Sequence, residues 1–388
     1  MNTTRRSALL LAGVFVLSAC SSTSDFFLGK DNRPAPKPLP AASGSAGATL
    51  LWKHKLGSGG ADEGLALKPA IWGGRIYAVS ANGRLYAYNS DGSTAWQQKL
   101  GNNISAGVAV DRRNVYLGTS NGDLLALSAA DGETEWRAPL SSLMLAAPVV
   151  ADGLVFARSI DGVLTAFDAA NGSELWRYRI KEPVLSVRGN AEPVVGGGVV
   201  ILTTDNGYFV VLDQRSGLPV VEQRIANSAG SNPVARLVDM DSTPQVADGV
   251  LYGAAYQSML FAVDLQQGQP LWRQEQVSTQ KDIALSRDGV YLVSDIDHVI
   301  ALNRRDGSIR WKNDRLEGRY LSPPFTLPDG RVGAIDYQGW LHWLDGASGN
   351  IVGQQRLASS TADVPALVQR DSIVWQLKDG NLINFRPE

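Results

Sequence analysis

The sequence predicts an all-β fold, an eight-bladed β-propeller of four-stranded antiparallel blades. Three observations carry the prediction. A short motif, ending in tryptophan in most of its copies, recurs at intervals of 39 to 51 residues, a period that belongs to propeller blades or two-helix repeats. Inside one interval lie four short apolar or alternating runs separated by Gly-bearing turns, and no stretch holds a helical period over ten residues. The two chain ends supply complementary fractions of one last blade.

The amino-terminal 49 residues are set apart from the repeat. Arg5 and Arg6 precede an apolar run over 8–17, then Leu17-Ser18-Ala19-Cys20. A basic segment, a core of about ten apolar residues and small residues before a cysteine form a secretory signal, too short to span a bilayer as a mature helix. The last four residues resemble the lipobox of bacterial lipoproteins, which implies a signal peptide over 1–19 and acylation (diacylglycerol, palmitate) at Cys20. Ser21 follows where that group carries aspartate for inner-membrane retention, so the resemblance implies the outer membrane. An ordinary cleaved signal followed by a free thiol is the alternative, and the residues around Arg5-Arg6 fit a twin-arginine signal poorly. Residues 20–49, rich in Ser, Ala, Pro and Gly, are expected to be a flexible tether, because they bury too little apolar area to offset ordering.

The propeller is expected over 50–388. Its clearest copies are 126–136 (ALSAADGETEW), 166–176 (AFDAANGSELW), 262–272 (AVDLQQGQPLW) and 301–311 (ALNRRDGSIRW). The copy at 87–96 is one residue shorter; those at 211–221 and 343–353 keep the turn glycine and lose the terminal tryptophan. A second turn glycine recurs as Gly83, Gly122, Gly162, Gly207 and Gly339, with Ser258 and Asp297 as substitutes. Glycine serves such turns because it adopts positive φ without penalty. Trp52, Trp96, Trp136, Trp176, Trp272 and Trp311 are expected to pack over the turn of the adjacent blade, each burial contributing about 1.5–3 kcal/mol. The carboxyl end, 364–386, carries only three strands and the amino end one orphan, 50–56, so the ends are expected to share the eighth blade.

Composition excludes several classes of function. The chain has 388 residues, one cysteine, three histidines and a formal charge of −2, which loss of Arg5 and Arg6 shifts to −4. Intramolecular disulfides and thiolate metal sites are thereby excluded, and nothing suggests the clustered positive charge of a nucleic-acid binder. His54, His298 and His342 lack a partner at ligand spacing and read as structural or surface groups. Asp91, Asp131, Asp161 and Asp306 precede turn glycines, a use that recurs in blade after blade. Gly196-Gly197-Gly198 reads as a tight strand connection. Trp72, Trp340 and Trp375, outside the terminal position, are candidates for core packing or an exposed aromatic role. No nucleophile elbow, catalytic residue, metal or cofactor is expected.

The repeat resembles the tryptophan-docking motif of eight-bladed quinoprotein alcohol dehydrogenases, which use pyrroloquinoline quinone, calcium and a disulfide between adjacent cysteines. This chain cannot form that disulfide, so the likeness speaks to architecture, since function belongs to the site. A quinone-dependent dehydrogenase and a glycan- or peptide-binding envelope module are the rival readings.

Two intervals, of 45 and 51 residues, are long. The excess falls in 184–192 (VLSVRGNAE) and 227–244 (NSAGSNPVARLVDMDSTP), in neighbouring blades, and departures from a repeat template mark binding faces. Leu185 and Val187 beside Arg188, with Asp239 and Asp241 nearby, suit a protein interface, and internal pairing of Arg188 is the alternative. With lipobox, tether, eight repeats, LSVRG and RLVDMDSTP in order, the chain resembles the BamB family, the lipoprotein assembly factors of the outer-membrane β-barrel assembly machinery. The resemblance covers essentially the whole mature chain. It implies a non-enzymatic scaffold, lipid-anchored in the outer membrane and facing the periplasm. The implied partners are the periplasmic domains of the central β-barrel subunit, bound through Leu185, Val187, Arg188, Asp239 and Asp241, and unfolded outer-membrane precursors, taken by strand addition at a blade edge. Val187 stands where that family usually has leucine.

Overall fold

Runs of β-branched and aromatic residues between Gly-bearing turns form eight four-stranded antiparallel sheets in the computed structural model. It describes residues 34–60, 64–101, 103–180, 191–204, 207–225, 240, 242–255 and 259–388. Each sheet is one blade, its strands lettered a to d from the axis outward. Blades 1 to 7 occupy 70–99, 104–139, 149–179, 194–224, 245–274, 284–313 and 325–356. Strands b and c are buried along nearly their whole length, as in Val163–Asp168, because both faces meet neighbouring blades. Strand d alternates: Glu174–Arg179 buries Trp176 and exposes Glu174, Leu175 and Arg177.

The eighth blade closes the ring. Leu367–Val368, Ile373–Gln376 and Asn381–Pro387 are its strands a to c, and Ala48–Lys55 is strand d, pairing Trp52 with Asn384 and Ala48 with Pro387. The core is divided accordingly into eight clusters, one at each junction between blades.

In every blade the c–d register shifts beside the terminal position, as between Ala166 and Phe167 in blade 3 and between Leu50 and Trp52 in blade 8. The bulge twists strand d locally and, where the terminal residue is tryptophan, turns that side chain toward the next blade. The b–c turn lies at the same end as the d-to-a connection. The Gly122 carbonyl accepts from the Leu140 amide at 2.8 Å, and Gly162, Gly207 and Gly339 repeat the bond with Ile180, Ile225 and Leu357. Asp297, which replaces this glycine in blade 6, has φ of +66° and is fully buried. Its carboxylate supports the exchange by accepting the amides of Tyr320 and Leu321 and pairing with Lys281 at 2.9 Å.

One boundary differs from expectation. Residues 37–49, read from composition as tether, lie against blade 7 or within blade 8. Lys37 N–H donates to Glu317 O, Ser43 N–H to Ile351 O and Ala46 N–H to Val352 O, while Arg319 and Arg315 donate to the carbonyls of Lys37 and Ala41. The segment is held by main-chain bonds to Glu317 and to the outer strand of blade 7, by the two arginines, and by packing of the small side chains of Ala42 and Ala46 on the core. Residues 1–33, including the expected signal peptide and Cys20, lie outside the described residues.

Candidate functional site

Two of the d-to-a connections, those entering blades 4 and 5, carry the irregular segments. Leu185, Val187, Arg188, Asp239 and Asp241 lie outside the described residues, whereas the bases of both segments are described. Glu192 precedes strand a of blade 4, Val194–Gly196, and Thr243 precedes strand a of blade 5, Gln245–Ala247. The two meet: the Glu192 amide donates to Thr243 Oγ1 at 3.3 Å. The Thr243 amide donates in turn to the Asp282 carboxylate at 2.6 Å, ahead of strand a of blade 6. Across the axis, Lys68 Nζ, ahead of strand a of blade 1, reaches Glu192 Oε2 at 2.7 Å.

These contacts link four blades at one end of the axis. Burial acts to lower the pKa of Lys68, but the adjacent Glu192 carboxylate overrides it and the net direction is upward. Burial, reinforced by the charge of Glu192, pushes the Asp282 carboxyl up to about 6 in spite of the Thr243 amide and Lys68. Thr243 therefore meets both carboxylate-bearing neighbours: its Oγ1 accepts the Glu192 amide, and its amide and hydroxyl both act on the Asp282 carboxyl. The chemistry of the cluster is that of a charged brace at the foot of both irregular segments. Beside it, buried Arg158 of blade 3 donates to Thr203 O at 3.1 Å, and Thr203 Oγ1 donates to the carbonyl of buried Met240, within the second segment. Residue spacing could not reveal this brace, since its members are separated by tens of residues. The available signal was a charged residue two positions ahead of an inner strand in blades 1, 4 and 6.

The six terminal tryptophans occupy one recurring environment. Nε1 of Trp96 and Trp136 donates to Ala129 O and Ala169 O, and that of Trp176, Trp272 and Trp311 to Gln214, Arg304 and Gly346, all at 3.0–3.1 Å. Trp52 donates likewise to Ser90 O. Each ring covers the c–d turn glycine of the following blade so closely that a Cβ on Gly92, Gly132, Gly172, Gly217, Gly307 or Gly349 would come within 2.5–2.6 Å of it.

Of the other singled-out residues, Trp375 is fully buried with Nε1 on Val364 O, Trp340 is partly buried, and Trp72 is 49% exposed beside a cavity of about 500 Å³ near Arg112, Arg113 and Tyr116. His54 stacks on Tyr88 and meets Gly92 O; His298 pairs with Glu317. His342 is buried between Asp336 and Gln354. Asp91, Asp131 and Asp306 accept amides within their own turns, and Asp161 accepts the Ser141 hydroxyl. Gly197 and Gly198 form the a–b turn of blade 4 with positive φ. Among the described residues no three His, Cys, Asp or Glu side chains converge as a metal site would require.

Comparison with known proteins agrees with this architecture over nearly the full length. The family model described as outer membrane protein assembly factor BamB matches residues 41–103 and 81–313. The proteins of that name from Escherichia coli K12 and Alkalilimnicola ehrlichii are 34% and 39% identical, covering 97% and 98% of this chain and 98% and 97% of their own. The crystal structure of BamB from Moraxella catarrhalis superposes with a TM-score of 0.80 at 27% identity, over 88% of this chain and all of that one. A quinohemoprotein alcohol dehydrogenase from Pseudomonas putida shares the fold alone, with a TM-score of 0.67 at 14% identity, over 89% of this chain and 76% of its own. With a family model matching well over half of its residues and relatives above 30% identity along its whole length, the chain belongs to the BamB family of outer membrane protein assembly factors.

Proposed function

We propose that the protein is a non-enzymatic scaffold of the outer-membrane β-barrel assembly machinery, anchored in the outer membrane by acyl chains on Cys20 and facing the periplasm. Its partner is the central β-barrel subunit, whose periplasmic domains it engages through Leu185, Val187, Arg188, Asp239 and Asp241. No bond is made or broken; the protein positions the subunit, and with it an unfolded outer-membrane precursor. The observation that carries the reading is the contact between the bases of the two irregular segments, Glu192 with Thr243, which puts both entrances on neighbouring blades of one face. An arginine with aliphatic neighbours in one segment and carboxylates in the other is a composition that anchors protein interfaces.

The test is titration of the central subunit's periplasmic domains with the wild-type protein and with Arg188→Ala and Asp241→Lys. Binding at least tenfold weaker with an unchanged circular dichroism spectrum is expected. Unchanged affinity in both variants rejects the interface. Co-purification from detergent-solubilised envelopes tests the partner class, and mass spectrometry of the mature amino terminus tests the acyl anchor.

A further inference from the structure

Each blade carries a row of three residues paired across strands b, c and d. The rows read Tyr77-Ala87-Trp96, Tyr116-Ala126-Trp136, Phe156-Ala166-Trp176, Tyr252-Ala262-Trp272 and Tyr291-Ala301-Trp311 in blades 1, 2, 3, 5 and 6. In blade 4 the row is Ile201-Val211-Val221. Both aromatic members are replaced by aliphatic ones at the same time. The receiving turn on blade 5 nevertheless keeps the form of its siblings. Gly268 has φ of +66°, and its amide donates to Asp264 O as the amides of Gly172 and Gly307 do to Asp168 and Asn303.

What is missing is the indole. Among the described residues a Cβ placed on Gly268 meets nothing within 4 Å, whereas on six sibling glycines it would strike a tryptophan ring. The carbonyl three residues earlier, Leu265 O, corresponds to the acceptors Ala169, Gln214, Arg304 and Gly346, and it takes no hydrogen bond from another described residue. Its siblings each take an indole N–H. The end of the blade-4 c–d turn and the strand that follows it also expose Leu218 (66%) and Val220 (63%), more than any other large apolar side chain of the described residues.

We infer that the junction of blades 4 and 5 is a vacant indole socket that receives a tryptophan side chain from a partner polypeptide. The ring would lie over Gly268 and donate its N–H to Leu265 O, as the protein's own tryptophans do at the other junctions. The chemistry asked of the partner is a tryptophan presented on an exposed or extended segment. The inference goes beyond the scaffold reading and does not require it, because the socket is defined by comparison of this chain's own blades.

The experiment uses the full chain in detergent and a short blocked peptide carrying a photoreactive diazirine-tryptophan, with the same peptide bearing photoreactive leucine as control. Cross-links mapped by mass spectrometry are expected at 265–268 and 221, several-fold stronger for the tryptophan probe. Val221→Trp supplies the ring in cis: it should raise the melting temperature and lower cross-linking about tenfold. Gly268→Asn, which keeps the left-handed backbone accessible and fills the socket floor, should lower cross-linking as much without the gain in stability. Cross-links elsewhere on the surface, equal labelling by the leucine probe, or labelling insensitive to both substitutions would overturn the socket.

Discussion

Trp343 and Gly353 face each other in register across strands c and d of blade 7, the reverse of the small-then-large order that Ala126 and Trp136 keep in blade 2. The reversal occurs where the ring closes. The following blade has no c–d turn to receive a ring from strand d, because its strands c and d are the two ends of the chain. The indole is instead on strand c, fully buried, edge-on to Phe325 at 5.5 Å, and its Nε1 donates to Gly47 O. That carbonyl lies just ahead of strand d and so takes the place of a turn carbonyl. Gly353 leaves room for the backbone of Ala46, with which a Cβ would collide.

This exchange predicts that blade 7 cannot be returned to the common pattern. Trp343→Ala should cost about 3–5 kcal/mol, the usual price of truncating a buried tryptophan. Adding Gly353→Trp should destabilise further, since the new ring would displace 44–47. Urea denaturation of the single and double variants decides the matter: recovery of stability in the double variant would show that the seam imposes no such constraint.

The other junctions predict coupling between ring and turn. Gly172→Ala introduces a Cβ about 2.5 Å from Trp136 Cε3 at a φ of +72°, a clash added to the cost of a left-handed non-glycine residue. Trp136→Ala removes the ring and with it the clash. The two variants should therefore destabilise by less together than the sum of their separate effects, with an interaction energy of about 1–2 kcal/mol. Additive effects in a double-mutant cycle would mean that the turn glycine is needed only for its backbone conformation.

Most of this architecture was legible because the repeat writes one local solution many times. Turn glycines with positive φ, tryptophans at one register position and the split of strands between 50–56 and 364–386 each report a main-chain requirement that only a few residue types meet. Where the protein departs from local rules, the sequence was silent. Residues 37–47 dock through main-chain bonds that composition does not record, and Lys68, Glu192, Thr243 and Asp282 are brought together by ring closure and by no spacing along the chain. The residues of the expected interface, Leu185, Val187, Arg188, Asp239 and Asp241, were read from the two breaks in period and from family resemblance, and their geometry lies outside the described residues.

Buried His342 predicts acid sensitivity. Gln354 Nε2 lies 2.9 Å from Nδ1 and Asp336 Oδ2 lies 3.0 Å from Nε2, an arrangement that suits a neutral ring with its proton on Nε2. Burial lowers the His342 pKa in spite of the Asp336 carboxylate. The unfolded chain therefore binds a proton first as pH falls below about 6.5, and stability present above that pH is lost on the way down, by about 1.4 kcal/mol per unit separating the two pKa values. His342→Gln should reduce the slope of unfolding free energy between pH 7 and 5. An unchanged slope would mean that the ring titrates alike in the folded and unfolded chains.

Asp282 predicts the opposite sign. Its carboxyl titrates near 6 in the folded protein and near about 3.9 in the unfolded chain, so between these values the folded state holds the extra proton and stability falls as pH rises. Two units correspond to about 3 kcal/mol at full effect, fully expressed above pH ~6. Asp282→Asn can still accept the Thr243 amide through its carbonyl oxygen. It should therefore stabilise the protein by about 2–3 kcal/mol at pH 7.5, with a smaller gain at pH 5. Lys68→Met should act in the reverse direction, leaving Glu192 and Asp282 without the cation between them, and Asp282→Asn should recover more stability in that background than in the wild type. Denaturation of the four proteins at pH 5 and 7.5 tests both statements: equal gains at the two pH values, or no extra recovery in the Lys68→Met background, would separate Asp282 from the brace.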